Sequence, residues 1–359
     1  MRKDRRFARR RTQWLAATVA AAAVALPSAG FASAASAAAG SAVSARPSAT
    51  TSADNLPNWA VGPFTRYAGN PILGPEGTGF ESQQAFNPGV VLVDGTYHML
   101  YRGGRAGDYS EIGAATSHDG YHFTRYADNP AIPNSLPNEA HGVEDPRLYY
   151  LNGRYYSFFT AYSGTSIDIN EAVSTDAVHW RQIGPVLSDN KDAALVTGPD
   201  DRPVKIDGHY VMYYGQSGNG VYLATSPDMI HWTTTGPIDL DFPSSYEPYE
   251  LCVAVTDYPT AHGQAANHGI LLFVAGTLMA QGRWYYAISE VHFSGTDLTR
   301  ETGQLNQPVL APTTPYEING VTPQTVFMNT IMFNKGRWWM YYGAGDTVTA
   351  LATAPLRTP

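Results

Sequence analysis

Cysteine is almost absent: Cys252 is the only one in 359 residues. No internal disulfide can form and no Cys/His spacing of zinc-site type occurs, so packing has to supply the stability. Long helical periods are missing as well. Few segments longer than about ten residues keep a 3.6-residue apolar repeat, so helix should be scarce. No apolar run makes a convincing membrane span. The N-terminal one, WLAATVAAAAVALP, is short and Ala-rich; it follows the basic head MRKDRRFARRR and leads into Ala-x-Ala sites near Ala34. That pattern is an export signal, assigned to residues 1–38. Arg10 and Arg11 leave the twin-arginine and the ordinary secretory routes equally open. Residues 39–54 are rich in Ala, Ser and Thr without periodicity and read as a disordered spacer. Positive charge is scarce in what remains. Beyond residue 54 there are 15 Lys and Arg against 29 Asp and Glu, a formal −14. Such a domain repels nucleic acid and anionic lipid, so neither is expected as a partner, and no membrane insertion is expected once the signal is removed.

What is present is a recurring hairpin. VLVDGTYHMLYRG surrounds Gly95, YYLNGRYYSFFTAYSG surrounds Gly153 and VKIDGHYVMYYGQSG surrounds Gly208. LMAQGRWYYAISEV and MFNKGRWWMYYGAGD do the same around Gly282 and Gly336. Each is an alternating apolar strand, a two-residue x-Gly turn and a second strand heavy in Tyr, Trp and Met. The glycines stand 58, 55, 74 and 54 residues apart. Three hairpins are followed by TSHDGYHF, VSTDAVHW and TSPDMIHW, in which Asp119, Asp176 and Asp228 precede an aromatic by four residues. Turn formation explains these aspartates better than catalysis does. Repeats of this length predict an all-β, five-bladed β-propeller over residues 55–359, with a β-sandwich as the alternative. In a propeller, polar groups at the ends of the innermost strands converge on the axis and form a ligand site.

HGVEDPR, residues 141–147, immediately precedes the first strand of the second hairpin, which places Asp145 at that entrance. The plain reading is a turn in which Asp-Pro starts the bend and Arg147 pairs with Glu144. His141, Glu144 and Asp145 could together touch a cation, but no metal and no other cofactor is expected.

FNPGVVLVDGTYHMLYRG, GVEDPRLYYLNGRYYSFFTAYSG, NKDAAL and VTPQTVFMNTIMFNKGRWWMYYGAGDTVTALATA occur in the order found in glycoside hydrolase family 130, and together they resemble it from about Asn70 to Ala354. The family comprises β-mannoside phosphorylases and inverting β-1,2-mannosidases on a five-bladed propeller. The resemblance implies that Asp145 is the general acid, protonating the glycosidic oxygen through a sugar hydroxyl. It implies that Asn87, Arg102, Tyr162, Asp192 and Asp346 hold the terminal sugar, and Arg147, Lys191 and Glu247 are counted with them as substrate-binding. The partner is then an oligosaccharide or glycan.

Departures from the family pattern bear on the nucleophile. Where phosphorylases carry basic residues, this chain reads Tyr214-Gly215-Gln216, FVAGT, a stretch near Ile169 and Glu171, and Glu250 in the place of a lysine. A pocket that exchanges cations for glutamates suits water better than phosphate. Glu250 is therefore the first candidate for the base, Glu171 the second and Glu247 the third. Lys191, beside Asp192, is expected to pair with Asp192 or a nearby glutamate. The expected activity is an exported inverting glycosidase releasing a terminal β-linked sugar, mannose first. A phosphorylase, a pentofuranosidase and a non-catalytic sugar-binding propeller are the alternatives. The lectin is disfavoured because it would need no acid.

Overall fold

A computed structural model of the chain describes residues 55–105, 109–216, 220–238, 240, 246–256, 269–280 and 283–356, without the side chains of 216, 246–249, 277–280, 283 and 284. The expected signal and spacer lie outside the described residues.

The described chain is all-β apart from one turn of α-helix at Pro315–Ile318 and a 3-10 turn at Pro137–Glu139. Its sheets are curled in the manner of a propeller. Three hydrogen-bonded sheets of eight, nine and four strands are formed. Within them the strands fall into five successive antiparallel meanders, whose first strands are Gln84–Val93, Val143–Leu151, Ala194–Thr197, Tyr246–Thr256 and Val326–Asn334. Parallel pairings at Ala85↔Val348 and Val196↔Ala254 merge neighbouring meanders into the larger sheets. The N-terminal strand Thr65–Arg66 pairs with Thr353 and Ala352 and supplies the outer strand of the last meander, which closes the chain on itself.

The turns explain the period. Asp94-Gly95, Asn152-Gly153, Asp207-Gly208 and Lys335-Gly336 all have φ between 48° and 80° at both residues. Positive φ at both central residues is the type I′ turn, whose twist matches paired strands. A Cβ on any of these four glycines would meet nothing, so the requirement is conformational and not one of space. Gly282 lies outside the described residues.

The three Asp motifs build one module. Ser117 Oγ donates to Asp119 Oδ1, Gly120 N donates back to Ser117 Oγ, and Asp119 Oδ2 meets His122 Nδ1 at 2.7 Å. Ser174/Asp176/His179 and Ser226/Asp228/His231 repeat the arrangement. The carboxylates are occupied by local donors, which is the turn role expected of them.

The five first strands gather at the centre. Val326–Asn334 packs on Tyr246–Thr256, Gln84–Val93 and Val143–Leu151, and Ala194–Thr197 packs on Tyr246–Thr256. Apolar layers fill the space between meanders; one joins Val91, Val93 and Leu100 of the first to Val143, Leu148 and Phe159 of the second. Close approach at the centre has a sequence cause. Gly89 of FNPG sits where a Cβ would lie 2.6 Å from Pro146 O and 2.8 Å from Leu148 N, so only glycine lets these two strands meet.

Candidate active site

The innermost strands break their own pleat where the site begins. Ladder registers shift between Phe86 and Gly89 and between Glu144 and Arg147. Asn87, Asp145 and Asp192 have φ of 50°, 52° and 64°. Asn and Asp tolerate this left-handed conformation better than most residues, and a bulge there re-aims the side chain. FNPG and EDPR thus mark one structural event in the first two meanders, and NKDA repeats the positive φ just ahead of Ala194–Thr197 in the third. Gly343 serves the first of them: a Cβ there would collide with the Asn87 amide.

Asn87, Arg102, Asp145, Lys191, Glu250 and Asp346 line one cavity of about 260 Å³, together with Tyr286, Thr322, Thr325 and Phe327. Asp145 is 3 % exposed. Its Oδ1 accepts from Asn87 Nδ2 at 2.7 Å and from Arg102 Nη1 at 3.3 Å. Arg102 also donates to Glu144 Oε1 at 2.7 Å, which neutralises the repulsion Glu144 would otherwise exert. Burial alone would raise the Asp145 carboxyl; Arg102, Lys191, Arg147 and the Asn87 amide outweigh it and hold Asp145 below the usual carboxylate range. Asp145 is therefore held in its ionised form. Asp346 differs: burial pushes it up to about 6, against the lowering pull of Thr322 and Arg102, with Asp145 and Glu250 adding repulsion.

Lys191 Nζ forms an ion pair with Glu250 Oε1 inside the cavity. Burial opposes the Lys191 charge, but Glu250, Asp192, Asp145 and Glu144 reverse that and keep the ammonium protonated. Tyr286 faces the same glutamate; burial and the Glu250 charge push its phenol well up. The cavity lining thus holds two cations, Arg102 and Lys191, against three carboxyl groups, Asp145, Glu250 and Asp346.

The other expected site residues lie elsewhere. Arg147 is 1 % exposed and sits behind Asp145. Its guanidinium donates to the carbonyls of Asp145 and Leu251 at 2.7 and 2.8 Å and stands over the Phe327 ring. It clamps the second meander to the fourth and does not reach the cavity. Nor does it pair with Glu144, as the turn reading had it. Asp192 is buried beside Arg147 at 3.6 Å and does not line the cavity either. Tyr162 donates its hydroxyl to Gly164 O and makes a T-shaped ring contact with His141.

Glu171 is fully buried, and neither of its oxygens has a hydrogen-bond partner. It lies on Ile167–Ser174, the third strand of its meander, roughly 10 Å out from the first by ordinary strand spacing. That distance explains why it misses the cavity. The Glu247 side chain lies outside the described residues. Among the described residues no three His, Cys, Asp or Glu side chains gather as a metal site.

Tyr286, Thr322, Thr325 and Phe327 were not singled out from sequence. Thr322, Thr325 and Phe327 belong to the closing VTPQTVFMN motif, so a signal existed for them; Tyr286 lay among the aromatics of the fourth hairpin, with nothing to distinguish it.

A family model described as β-1,4-mannooligosaccharide phosphorylase matches residues 69–358. The chain belongs to glycoside hydrolase family 130. Its relatives include a 1,2-β-oligomannan phosphorylase of Thermoanaerobacter sp. (strain X514), 28 % identical over 304 residues, covering 81 % of this chain and 97 % of the relative. A β-1,2-mannobiose phosphorylase of the same organism is 28 % identical over 307 residues, covering 80 % and 96 %. A solved structure from work showing that this family of mannoside phosphorylases contains glycoside hydrolases targeting β-1,2 mannosidic linkages in Candida mannan is 26 % identical. It has a TM-score of 0.74 and covers 85 % of this chain and 97 % of that one. Family 130 members are glycoside-active enzymes, and a mannoside substrate accords with the cavity's polar lining.

Proposed function

We propose that this family 130 protein cleaves a terminal β-mannoside, 1,2-linked, with inversion, and that water is the nucleophile. The five meanders are read as five propeller blades around the cavity, and the N-terminal segment as a signal that delivers the enzyme outside the cell. The observation that supports the chemistry is the pairing of two carboxyl groups in one small cavity: Asp145, fixed by Asn87 and Arg102, and Glu250, held by Lys191. An inverting enzyme needs an acid for the leaving oxygen and a base for the attacking water. Bound sugar dilutes the contact of Asp145 with Arg102 and excludes water, which raises the carboxyl so that it can pass a proton to the glycosidic oxygen through a sugar hydroxyl. Glu250 takes the proton of the attacking water. A cavity of about 260 Å³, below the roughly 300–1,000 Å³ usual for ligand sites, suits one terminal ring and therefore exo action.

Phosphorolysis is the second reading, and the comparisons favour it over the first, because the two curated relatives are phosphorylases. In it a phosphate oxygen attacks in place of water, α-mannose 1-phosphate leaves, and Lys191 holds the phosphate. The charge of the cavity speaks against it: a dianion would enter among three carboxyl groups and would have to displace Glu250 from the one lysine present.

Incubating the protein with β-1,2-mannobiose, with and without phosphate, separates the two. Free mannose formed at a phosphate-independent rate is the expected result; accumulating mannose 1-phosphate overturns it. Glu250→Gln sharpens the test. Under hydrolysis it abolishes turnover and leaves sugar binding. Under phosphorolysis it frees Lys191 and lowers the KM for phosphate.

A second expected outcome concerns Asp346, which contacts the sugar as an ionised acceptor in this reading. Because its carboxyl titrates at about 6, KM for mannobiose should rise as pH falls through 6. Asp346→Asn should weaken binding and flatten that dependence; an unchanged profile in the variant would assign the titration to another group.

A further inference from the structure

A second groove, of about 420 Å³, lies on the second meander and includes Arg154, Ser174, Thr175, His179, Trp180 and Arg181 in its walls. It is remote from the cavity along the strands. Asp145 stands near the start of Val143–Leu151, whereas Arg154 follows the Asn152-Gly153 turn at the far end of the same hairpin. Ser174 ends the third strand and Arg181 begins the fourth, so the two arginines flank the third strand from both sides. Two strand spacings separate them, about 10 Å.

The groove's donors divide into those already engaged and those that are free. His179 Nδ1 meets Asp176 Oδ2 at 2.7 Å and its Nε2 meets the Tyr126 hydroxyl at 3.1 Å, so the imidazole is a fixed wall. The Trp180 indole N–H donates to Ala177 O at 3.1 Å; the half-buried ring packs against the apolar layer between the first two meanders, and its remaining surface lines the groove. Among the described residues no hydrogen bond or ion pair holds the guanidinium of Arg154 or Arg181, and both side chains are exposed. The carboxylate in the same turn, Asp176, is taken up by Ser174, Val178 and His179.

The sister modules provide an internal control. They build the same Ser/Asp/His turn with Phe123-Thr124 and Trp232-Thr233 where this one has Trp180-Arg181. Thr96 and His209 stand at the position of Arg154. Arg283 and Arg337 stand there in the fourth and fifth hairpins, so Arg154 is a recurrent choice, whereas Arg181 is one that the fold does not require. Two guanidinium groups without a hydrogen bond or ion pair, one of them (Arg181) also offsetting the charge of buried Glu171, stand beside an indole on a domain of formal charge −14 and form a basic island.

We propose that this groove is a secondary glycan site for an anionic sugar, whose ring lies on Trp180 and whose phosphate ester or carboxylate is bridged by Arg154 and Arg181. An aromatic face with fork-shaped donors is the chemistry that recognises such a group. The site binds and does not react, and it is independent of which nucleophile operates in the cavity. Its effect is to hold the enzyme on a negatively charged glycan.

The test is calorimetric titration of the intact protein with glucose 6-phosphate and with trigalacturonate, which distinguish ester from carboxylate. Maltotriose and inorganic phosphate are the controls. At least one sugar anion should bind more tightly than about 1 mM and both controls more weakly than it. Arg181→Thr, the residue of the sister modules, should weaken that binding at least about tenfold, the scale of one charge-assisted hydrogen bond. Trp180→Phe should weaken it by a smaller factor, and turnover of an aryl mannoside should be unchanged in both. If Arg181→Thr does not fold, Arg154→Thr reads the same quantity. Absence of binding by both sugar anions, phosphate binding as tightly as they do, or an affinity unaltered by the arginine change would overturn the proposal.

Discussion

Asp145→Asn should slow cleavage of β-1,2-mannobiose by about 10²–10⁴-fold, the usual contribution of a positioned general acid. The substitution keeps the shape of the side chain, and Asn87 and Arg102 still have an oxygen to donate to. What is lost is the transferable proton. A mannoside with an activated aryl leaving group needs little protonation and should lose far less rate. Steady-state kinetics on both substrates, with mannobiose binding measured separately, decide the role. Equal losses on both substrates would reduce Asp145 to a sugar-binding residue. A further consequence follows from the charges around it. In the free protein Arg102, Lys191 and Arg147 favour ionised Asp145. The log of kcat/KM, which reports the free enzyme, should therefore fall as pH rises from the acid side, while kcat, which reports the complex, should hold to higher pH.

The second large effect is on stability and lies outside the cavity. Glu171 is buried without a hydrogen-bond partner, and burial, with some repulsion from Asp228 and a partial offset from Arg181, pushes its carboxyl up to about 8. In the unfolded chain it returns to the ordinary value near 4.5. The folded state thus binds the proton more tightly. Its stabilising contribution is complete below about pH 4.5 and is lost progressively as pH rises to about 8. At about 1.4 kcal/mol per pH unit the loss is on the order of 5 kcal/mol. Glu171→Gln is shape-matched and does not titrate. Urea denaturation of both proteins from pH 5 to pH 8.5 should show the variant gaining several kcal/mol on the wild type across that range. Parallel curves would mean that a partner or water compensates the carboxylate.

The repeat architecture was legible because its causes are local. A type I′ turn needs positive φ at two residues, so Asp94-Gly95, Asn152-Gly153, Asp207-Gly208 and Lys335-Gly336 announce it within two positions, and alternation of apolar residues on either side fixes which face is buried. The three aspartates of the outer turns were readable for the same reason: every bond they make spans three residues or fewer. Part of the site was readable too. Asn87 and Asp145 sit in short motifs that bend a strand, and both line the cavity; Asp192, in a similar motif, does not.

What remained hidden depends on distances through space between residues far apart in the chain. Glu171 and Glu250 are both strand glutamates, and nothing local tells them apart. One is on a first strand and meets Lys191 across 59 positions; the other is on a third strand, sealed within its meander. Arg147 read as a partner of Glu144 three residues away, because a turn was the simplest use for it. Folding brings the Leu251 and Cys252 carbonyls against it instead, and gives Glu144 to Arg102. The ionisation of each group was equally out of reach, since it is the balance of burial against charges contributed by other meanders. Sequence by itself determined that there would be a repeated all-β fold with a carboxylate at its mouth, because turn geometry and side-chain alternation are short-range constraints. Only the tertiary structure decided which carboxylates face one another, which are neutralised and which are sealed away, because burial and Coulomb interaction act across meanders that the chain reaches after tens of residues.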